Sequence, residues 1–302
     1  MVAIITNNDI KTGLDNLLEH AARDVRPSDK MIAFYNFVGS LPLRSGAMLS
    51  LLTSIDAWKV VGYAGIKKRT DAAIRVLYQY QVRPWRLLWG AGDHLWQNSY
   101  NCRSVRSRGK LVQTAMEHLC KEVLKAHIAS GENRKPVIAS LGSGSAEQLL
   151  HGVCSNGLGD YGARVDLVDV DQRALQAAHG NACKLGLDQV VEINEITIGG
   201  YFEKTTPASV DIVEMVGLAD YFNNDRMNQY FSSINRVLKA GGFFVGANIS
   251  SREEYAYAHG VACWPHMYYR TEEELLEMLN AAGFSDIWSG ACGLYTFWVA
   301  KK

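Results

Sequence analysis

The chain of 302 residues is 48% hydrophobic and 21% charged, and its 31 basic side chains balance 31 acidic ones. That is enough apolar material for one large domain or two smaller ones with a buried core. The even charge excludes the basic surplus of a dedicated nucleic-acid or anionic-membrane binder, and no apolar run approaches the roughly 18 residues that span a bilayer.

The opening stretch MVAIITNNDIKTG turns polar early and has no basic n-region, so no signal peptide is expected. Residues 1–130 show helical spacing and few strand signals. TGLDNLLEHAARDV and RTDAAIRVLYQY place apolar residues three and four apart. The clearest helix covers residues 104–129, with Val112, Met116, Leu119 and Val123 on one stripe. Trp58, Trp85, Trp89 and Trp96 all fall in this half and are expected in a core or a domain interface. The competing reading has one or two of them lining a ligand pocket. The cysteines, at 102, 120, 154, 183, 263 and 292, form no CxxC pair and have no histidines at zinc spacing. They predict a reducing compartment, hence a cytoplasmic protein, and no metal site.

SGENRKP, at 130–136, is a polar break that predicts a domain boundary: a helical cap over 1–130 and an α/β domain over 131–302. After the break, strands are expected near VIASL, RVDLVDV, VVEIN, VDIVEMV and GFFVGANI. Helices start near Ser145, Asp171 and Asn224. Thr271 followed by Glu274 is a capping box opening a further helix. FSDIWSG and GLYTFWVAKK close the chain as strands. Alternating β and α with apolar strands predicts a parallel sheet covered on both faces.

In such a sheet a ligand sits at the carboxyl ends of the strands, at the switch point. The first turn is Leu141-Gly142-Ser143-Gly144-Ser145-Ala146-Glu147, where Gly142 and Gly144 let the backbone approach a ligand closely. Glu147 at the sixth position is a poor neighbour for a pyrophosphate, which speaks against NAD or FAD. Asp169 ends the next strand 27 residues after Gly142 and is placed to accept both hydroxyls of a ribose. Asp171 reads as the N-cap of the following helix.

These residues resemble the class I S-adenosylmethionine (SAM)-dependent methyltransferases. VIASLGSGS looks like the family's first motif and VDLVDVD like its second. VVEINEITI is similar to the third strand and its adenine-contacting loop, and VDIVEMVGLADYF to the fourth motif. INRVLKAGGFFVGANI resembles the Leu-Lys-x-Gly-Gly turn before the fifth strand. The resemblance covers residues 136–302, and a subgroup with a helical N-terminal extension is the nearest match. It implies an α/β Rossmann-like fold with a seven-stranded mixed sheet of order 3-2-1-4-5-7-6 and an all-α N-terminal domain. It also implies SAM as cofactor. Two departures stand out. Ser140 occupies the place of an acid before the glycines, and Ala146 replaces a third glycine, a change expected to be harmless. The fourth motif also lacks the (D/N)PPY that marks amide and base N-methylation.

Under this resemblance Ser140, Gly142, Ser143, Gly144, Asp169 and Val170 would hold the cofactor, with Asn194 or Glu195 at the adenine. The backbone of Glu214, Met215 and Val216 would border the sulfonium, and Arg106 would grip the methionine carboxylate. Tyr221, Asn248 and His266 are the candidate catalytic residues: Tyr221 on the acceptor side, Asn248 to orient an amine or hydroxyl, His266 as general base. The leading expectation is methyl transfer to a small molecule, with the cap closing over it. The alternative is attack at the aminocarboxypropyl carbon with release of methylthioadenosine, motivated by Ser140. A third is a SAM-binding module without catalysis. The expected partner is a small-molecule substrate, with no nucleic acid and no membrane, and homodimer formation is left open.

Overall fold

The apolar runs form strands β1 (Val137–Leu141), β2 (Arg164–Asp169), β3 (Val191–Glu195), β4 (Val210–Val216), β5 (Leu238–Ile249), β6 (Asp286–Cys292) and β7 (Tyr295–Lys301). They lie in one sheet of order β3-β2-β1-β4-β5-β7-β6, as expected. The first five are parallel, and β7 runs antiparallel between β5 and β6. β1 is buried along its whole length because helices cover both faces of the sheet. β5 starts at Leu238, ahead of the GFFVGANI stretch, because Leu238 already pairs with Val210 before a register break.

This computed structural model describes residues 12, 13, 15, 16, 19, 25–42, 54–66, 70–80, 89–131 and 134–302. The stretch TGLDNLLEHAARDV lies largely outside the described residues, as do Trp85 and the side chain of Trp89. In chain order the helices are α1 (Asp29–Ser40), α2 (Ile55–Val60, prolonged by a π turn), α3 (Thr70–Tyr78), α4 (Trp89–Gln97) and α5 (Tyr100–Ser130). Next come α6 (Glu147–Cys154), α7 (Gln172–Lys184), α8 (Ile198–Lys204) and α9 (Asn224–Val237). α10 (Tyr255–Gly260) and α11 (Glu272–Ala281) follow, and the Thr271–Glu274 capping box opens α11 as its spacing predicts.

Three cores result. Leu111, Met116 and Leu119 of α5 join α6 and α7 against one face of the sheet. Helices α8, α9 and α11 cover the other face around Phe231, Phe244 and Trp298. The third core gathers α1, α2, α3, α4 and the first turns of α5 with Ile249, Tyr257 and Tyr295. Helix α5 therefore belongs half to the N-terminal helices and half to the sheet. Its N-terminus is pinned by the buried Glu254, whose carboxylate accepts the backbone N–H groups of Tyr100 and Asn101 at 2.9 Å each. Those are donors that a helix start leaves unpaired. Trp96 is buried as expected, but Trp58 is 55% exposed, so it is not a core residue of this chain.

Candidate active site

A cavity of about 480 Å³ opens at the carboxyl ends of β1, β2 and β4. This is the switch point, where the chain winds away from β1 in both directions. β1 delivers the backbone into Gly142, which takes φ 68°. An L side chain is strained at that φ, and its Cβ would come within 2.5 Å of Leu218 Cδ2, which would have to shift. The N–H groups of Gly142 and Ser143 donate to the Val168 carbonyl at 2.8 and 3.0 Å, folding the turn back on β2. Ala146, in the third glycine's place, keeps a left-handed φ of 50°. The change is therefore not neutral: an L residue held there stores strain on the order of 1 kcal/mol at the mouth of α6.

Asp169, at the tip of β2, faces the same cavity. Its Oδ2 accepts the Gly144 N–H at 3.0 Å and its Oδ1 the Asp171 N–H at 2.9 Å. The carboxylate thus organises the glycine turn while each oxygen keeps lone pairs for a ligand. Val170 lines the rim, and Asp171 is the N-cap of α7.

Two ionisable groups share the cavity wall with the glycine turn. Arg108, 2% exposed, comes from α5. Burial works against its charge, but Tyr295, Tyr78 and Asp220 around it hold its pKa above the ordinary arginine value. The guanidinium lies 4.5 Å over the Tyr295 ring, and its Nε has no hydrogen-bond partner among the described residues. Glu214, near the end of β4, accepts the Ser140 hydroxyl proton at 2.5 Å. Ser140 and Glu214 are register partners on adjacent strands. The acid missing from β1 is therefore supplied by β4 at the same level of the sheet.

Burial pushes the Glu214 carboxyl up to about 7, with the Ser140 and Val216 hydrogen bonds and the Arg108 charge pulling the other way. The raised value means that the folded protein holds this proton more tightly than the unfolded chain. Its contribution to stability is full below about pH 4.5 and is lost as pH rises through about 7. Urea unfolding of the ligand-free protein at pH 5 and pH 8 checks this. The midpoint is expected to be lower at pH 8, and Glu214→Gln should reduce that difference.

Several expected site residues are placed elsewhere. Arg106 is not at the cavity: its guanidinium donates to the side chain and carbonyl of Gln97, at 2.8 and 2.6 Å, and covers Tyr80. Two residues along a helix is a turn of about 200°, so Arg106 and Arg108 face opposite ways. Arg108 extends the apolar stripe of Val112 and Met116 by one turn. A lone charge on that stripe was the available signal for it. Met215 points to the opposite face of the sheet, into the core with Phe231, because side chains alternate along β4. Asn194 and Glu195 stop short of the cavity, since Asn194 donates back to the Glu192 carbonyl. Ile196, Thr197 and Ile198, just beyond β3, form the wall instead.

Asn248 is fully buried and committed to structure. It donates to the carbonyls of Ile249 and Tyr268 and accepts from Arg270 at 2.6 Å. His266 is exposed and meets only the edge of Tyr268 among ring contacts, away from the cavity wall. Tyr221 does reach the cavity, and its hydroxyl accepts the Trp264 indole N–H at 3.0 Å. Asp71, Ile74 and Tyr78 of α3 complete the wall. Their part is invisible in the sequence because it depends on how α3 docks.

A methyltransferase-domain family profile matches residues 141–246, the stretch from the glycine turn to the middle of β5. No curated protein sequence matches the chain. Among solved structures, an exported-protein candidate of Bordetella parapertussis aligns with 99% of both chains, at 16% identity and a TM-score of 0.62. The CMeT domain of the citrinin polyketide synthase aligns over 97% of this chain and 95% of its own, at 10% identity and a TM-score of 0.56. The SAM-dependent methyltransferase SibL aligns over 82% of this chain and 70% of its own, at 15% identity and a TM-score of 0.51. These likenesses establish the fold along nearly the whole chain, and the profile match falls on the stretch that builds the cavity. With that match, its sheet order and its glycine turn, residues 141–246 are similar to a methyltransferase domain, and the chain has the fold of the SAM-dependent methyltransferases.

Proposed function

We propose that the protein methylates a small molecule and that the cavity at the strand ends holds SAM. The observation that carries this reading is the pairing of the Gly142–Asp169 cradle with Arg108 and Glu214 in one cavity. The residues present fit the cofactor. The under-satisfied Arg108 guanidinium suits a carboxylate, and Glu214 suits an ammonium or sulfonium. Asp169 suits a ribose diol, and Ile196 and Ile198 offer apolar surface to a base. The Ser143 hydroxyl, buried and without a hydrogen-bond partner among the described residues, adds a further polar contact at the turn.

When bound, SAM supplies a methyl group on a positively charged sulfur, open to in-line displacement. The chain's own contribution is positioning and exclusion of water. Arg108 fixes the amino-acid end, Asp169 the ribose, and Glu214 keeps a counter-charge next to Ser140. The helical region over 1–130 acts as the cap and 131–302 as the binding domain, with α5 crossing between them. We assign the protein to small-molecule biosynthesis in the cytoplasm. Six free thiols support a reducing compartment, and no helix among the described residues is long and apolar enough to cross a membrane. Attack at the aminocarboxypropyl carbon gains no support from Ser140, because Glu214 brings a carboxylate to that register.

Calorimetry with SAM tests the site. Asp169→Ala is expected to weaken binding by roughly 10- to 100-fold, through lost charge-assisted hydrogen bonds and a loosened turn. An unchanged affinity removes Asp169 from the site. Mass spectrometry of protein incubated with SAM alone separates the chemistries: methylthioadenosine formed without an acceptor overturns the methyltransferase reading.

A further inference from the structure

Glu214 lines the large cavity from β4 and is 7% exposed. Ile212 and Val216, two residues to either side, pack toward α5, so Glu214 stands on the sheet face that α5 covers. Two donors reach its carboxyl: the Ser140 hydroxyl at 2.5 Å and the Val216 backbone N–H. Neither donor is charged. On the same face β5 sets Val245 beside it, and α5 presents Arg108, whose charge acts on the carboxyl less than either hydrogen bond does.

Arg108 is shared among several neighbours. Tyr78 and Tyr295 hold it, and Asp220 Oδ2 stands 3.9 Å from its Nη1. Behind it lies a second cavity of about 40 Å³, walled by Trp96, Tyr257, Trp264, Met267 and Tyr295 among others. That is room for about three waters. The remaining acids of the large cavity, Asp71, Asp169 and Asp171, belong to α3, the tip of β2 and the N-cap of α7.

A buried carboxyl with neutral donors and a divided counter-charge loses more by ionising than it gains, so it retains its proton. A positive group brought within about 4–6 Å reverses that balance. We propose that Glu214 couples cofactor loading to proton release: it keeps its proton in the ligand-free protein and gives it up to solvent when the cationic end of SAM arrives. The inference rests on the methyltransferase reading above. The O–H bond of the carboxyl breaks with its electron pair left on oxygen, the proton passes to water, and no other bond changes. With the SAM carboxylate on Arg108, the ammonium and the sulfonium are the charges left for Glu214 to meet.

The sign of the pH dependence follows. Burial puts the ligand-free carboxyl at about 7, and a neighbouring cation lowers such an acid by about 1–3 units. SAM affinity therefore rises with pH between the lowered value and about 7, and levels off above it. The α-amino group of SAM titrates near 8, so the measurements stop at pH 7.

The test is calorimetry of SAM binding to the full chain at pH 6.5 in phosphate and in imidazole, whose heats of ionisation differ, with affinities taken from pH 5.5 to 7. The wild-type chain is expected to release at least about half a proton per SAM and to gain about tenfold in affinity over that range. Glu214→Gln should bind SAM with no buffer-dependent heat and with affinity level within about twofold, whatever its absolute strength. Ser140→Ala withdraws a hydrogen bond that favours the charged form, so it should move the rise to higher pH; it carries the test where Glu214→Gln does not fold. A wild-type heat that is the same in both buffers, a release that survives in Glu214→Gln, or an unshifted rise in Ser140→Ala overturns the proposal in a protein that still binds SAM. Failure of the wild-type chain to bind SAM overturns the methyltransferase reading and this inference with it.

Discussion

Arg108→Met is expected to lower the affinity for SAM by about 100-fold while Arg106→Met leaves it within about threefold. The contrast follows from one helix. Arg108 is buried at the cavity wall with an unpartnered Nε, whereas both ends of the Arg106 guanidinium are spent on Gln97. A lost charge-assisted hydrogen bond at a buried site costs roughly 1.5–3 kcal/mol, which corresponds to about 10- to 150-fold in affinity. The substitution also removes the larger of the two positive charges acting on Asp220, leaving Arg270. Removing one partner of a buried pair is destabilising, so the melting temperature should fall as well. Calorimetry and thermal unfolding of the two variants side by side check both parts. Equal losses in affinity for the two arginines would take Arg108 out of the site.

Gly260→Val is expected to separate α1 from α10 and to destabilise the chain by about 3 kcal/mol. These helices meet backbone to backbone. A Cβ at Gly260 would overlap the Gly39 carbonyl, and one at Gly39 would overlap the Ala256 backbone. Backbone cannot swing aside as a flexible side chain does, so the helices must part. The contact matters because α10 belongs to the same connection as Trp264 and Met267 of the second cavity, and Tyr35 of α1 packs edge-on against Tyr257 of α10 at 4.9 Å. Hydrogen exchange should show protection lost in Asp29–Ser40 while the β1 and β4 amides stay protected. Loss of protection throughout the sheet would mean that the N-terminal helices and the sheet unfold as one unit.

Much of the sheet was legible because local rules decide it. Apolar runs bounded by turns locate β1, β2 and β4, a capping box opens α11, and Asp171 caps α7. The glycine turn and Asp169 were legible for the same reason. A turn at φ 68° favours glycine at Gly142, and an acid at a strand tip is a short-range feature of the chain. Arg106, Met215, Asn248 and His266 did not follow, because each depends on a direction that spacing leaves open. Met215 was lost to strand alternation, and Asn248 was claimed by Arg270 from 22 residues away.

The sequence by itself determined the order of strands and helices along the chain and the glycine turn and strand-tip acid that line the cavity, since these are written in periodicity and in turns a few residues long. Only the tertiary structure decided which arginine meets the cavity, because the facing of α5 is set by two cores at once, one under its first turns and one against the sheet. Only the tertiary structure restored the missing acid. Ser140 and Glu214 are 74 residues apart in the chain and become partners through strand pairing. The second cavity has the same origin: its walls come from seven segments spread from Val60 to Tyr295, and burial between them encloses Asp220 and Arg108.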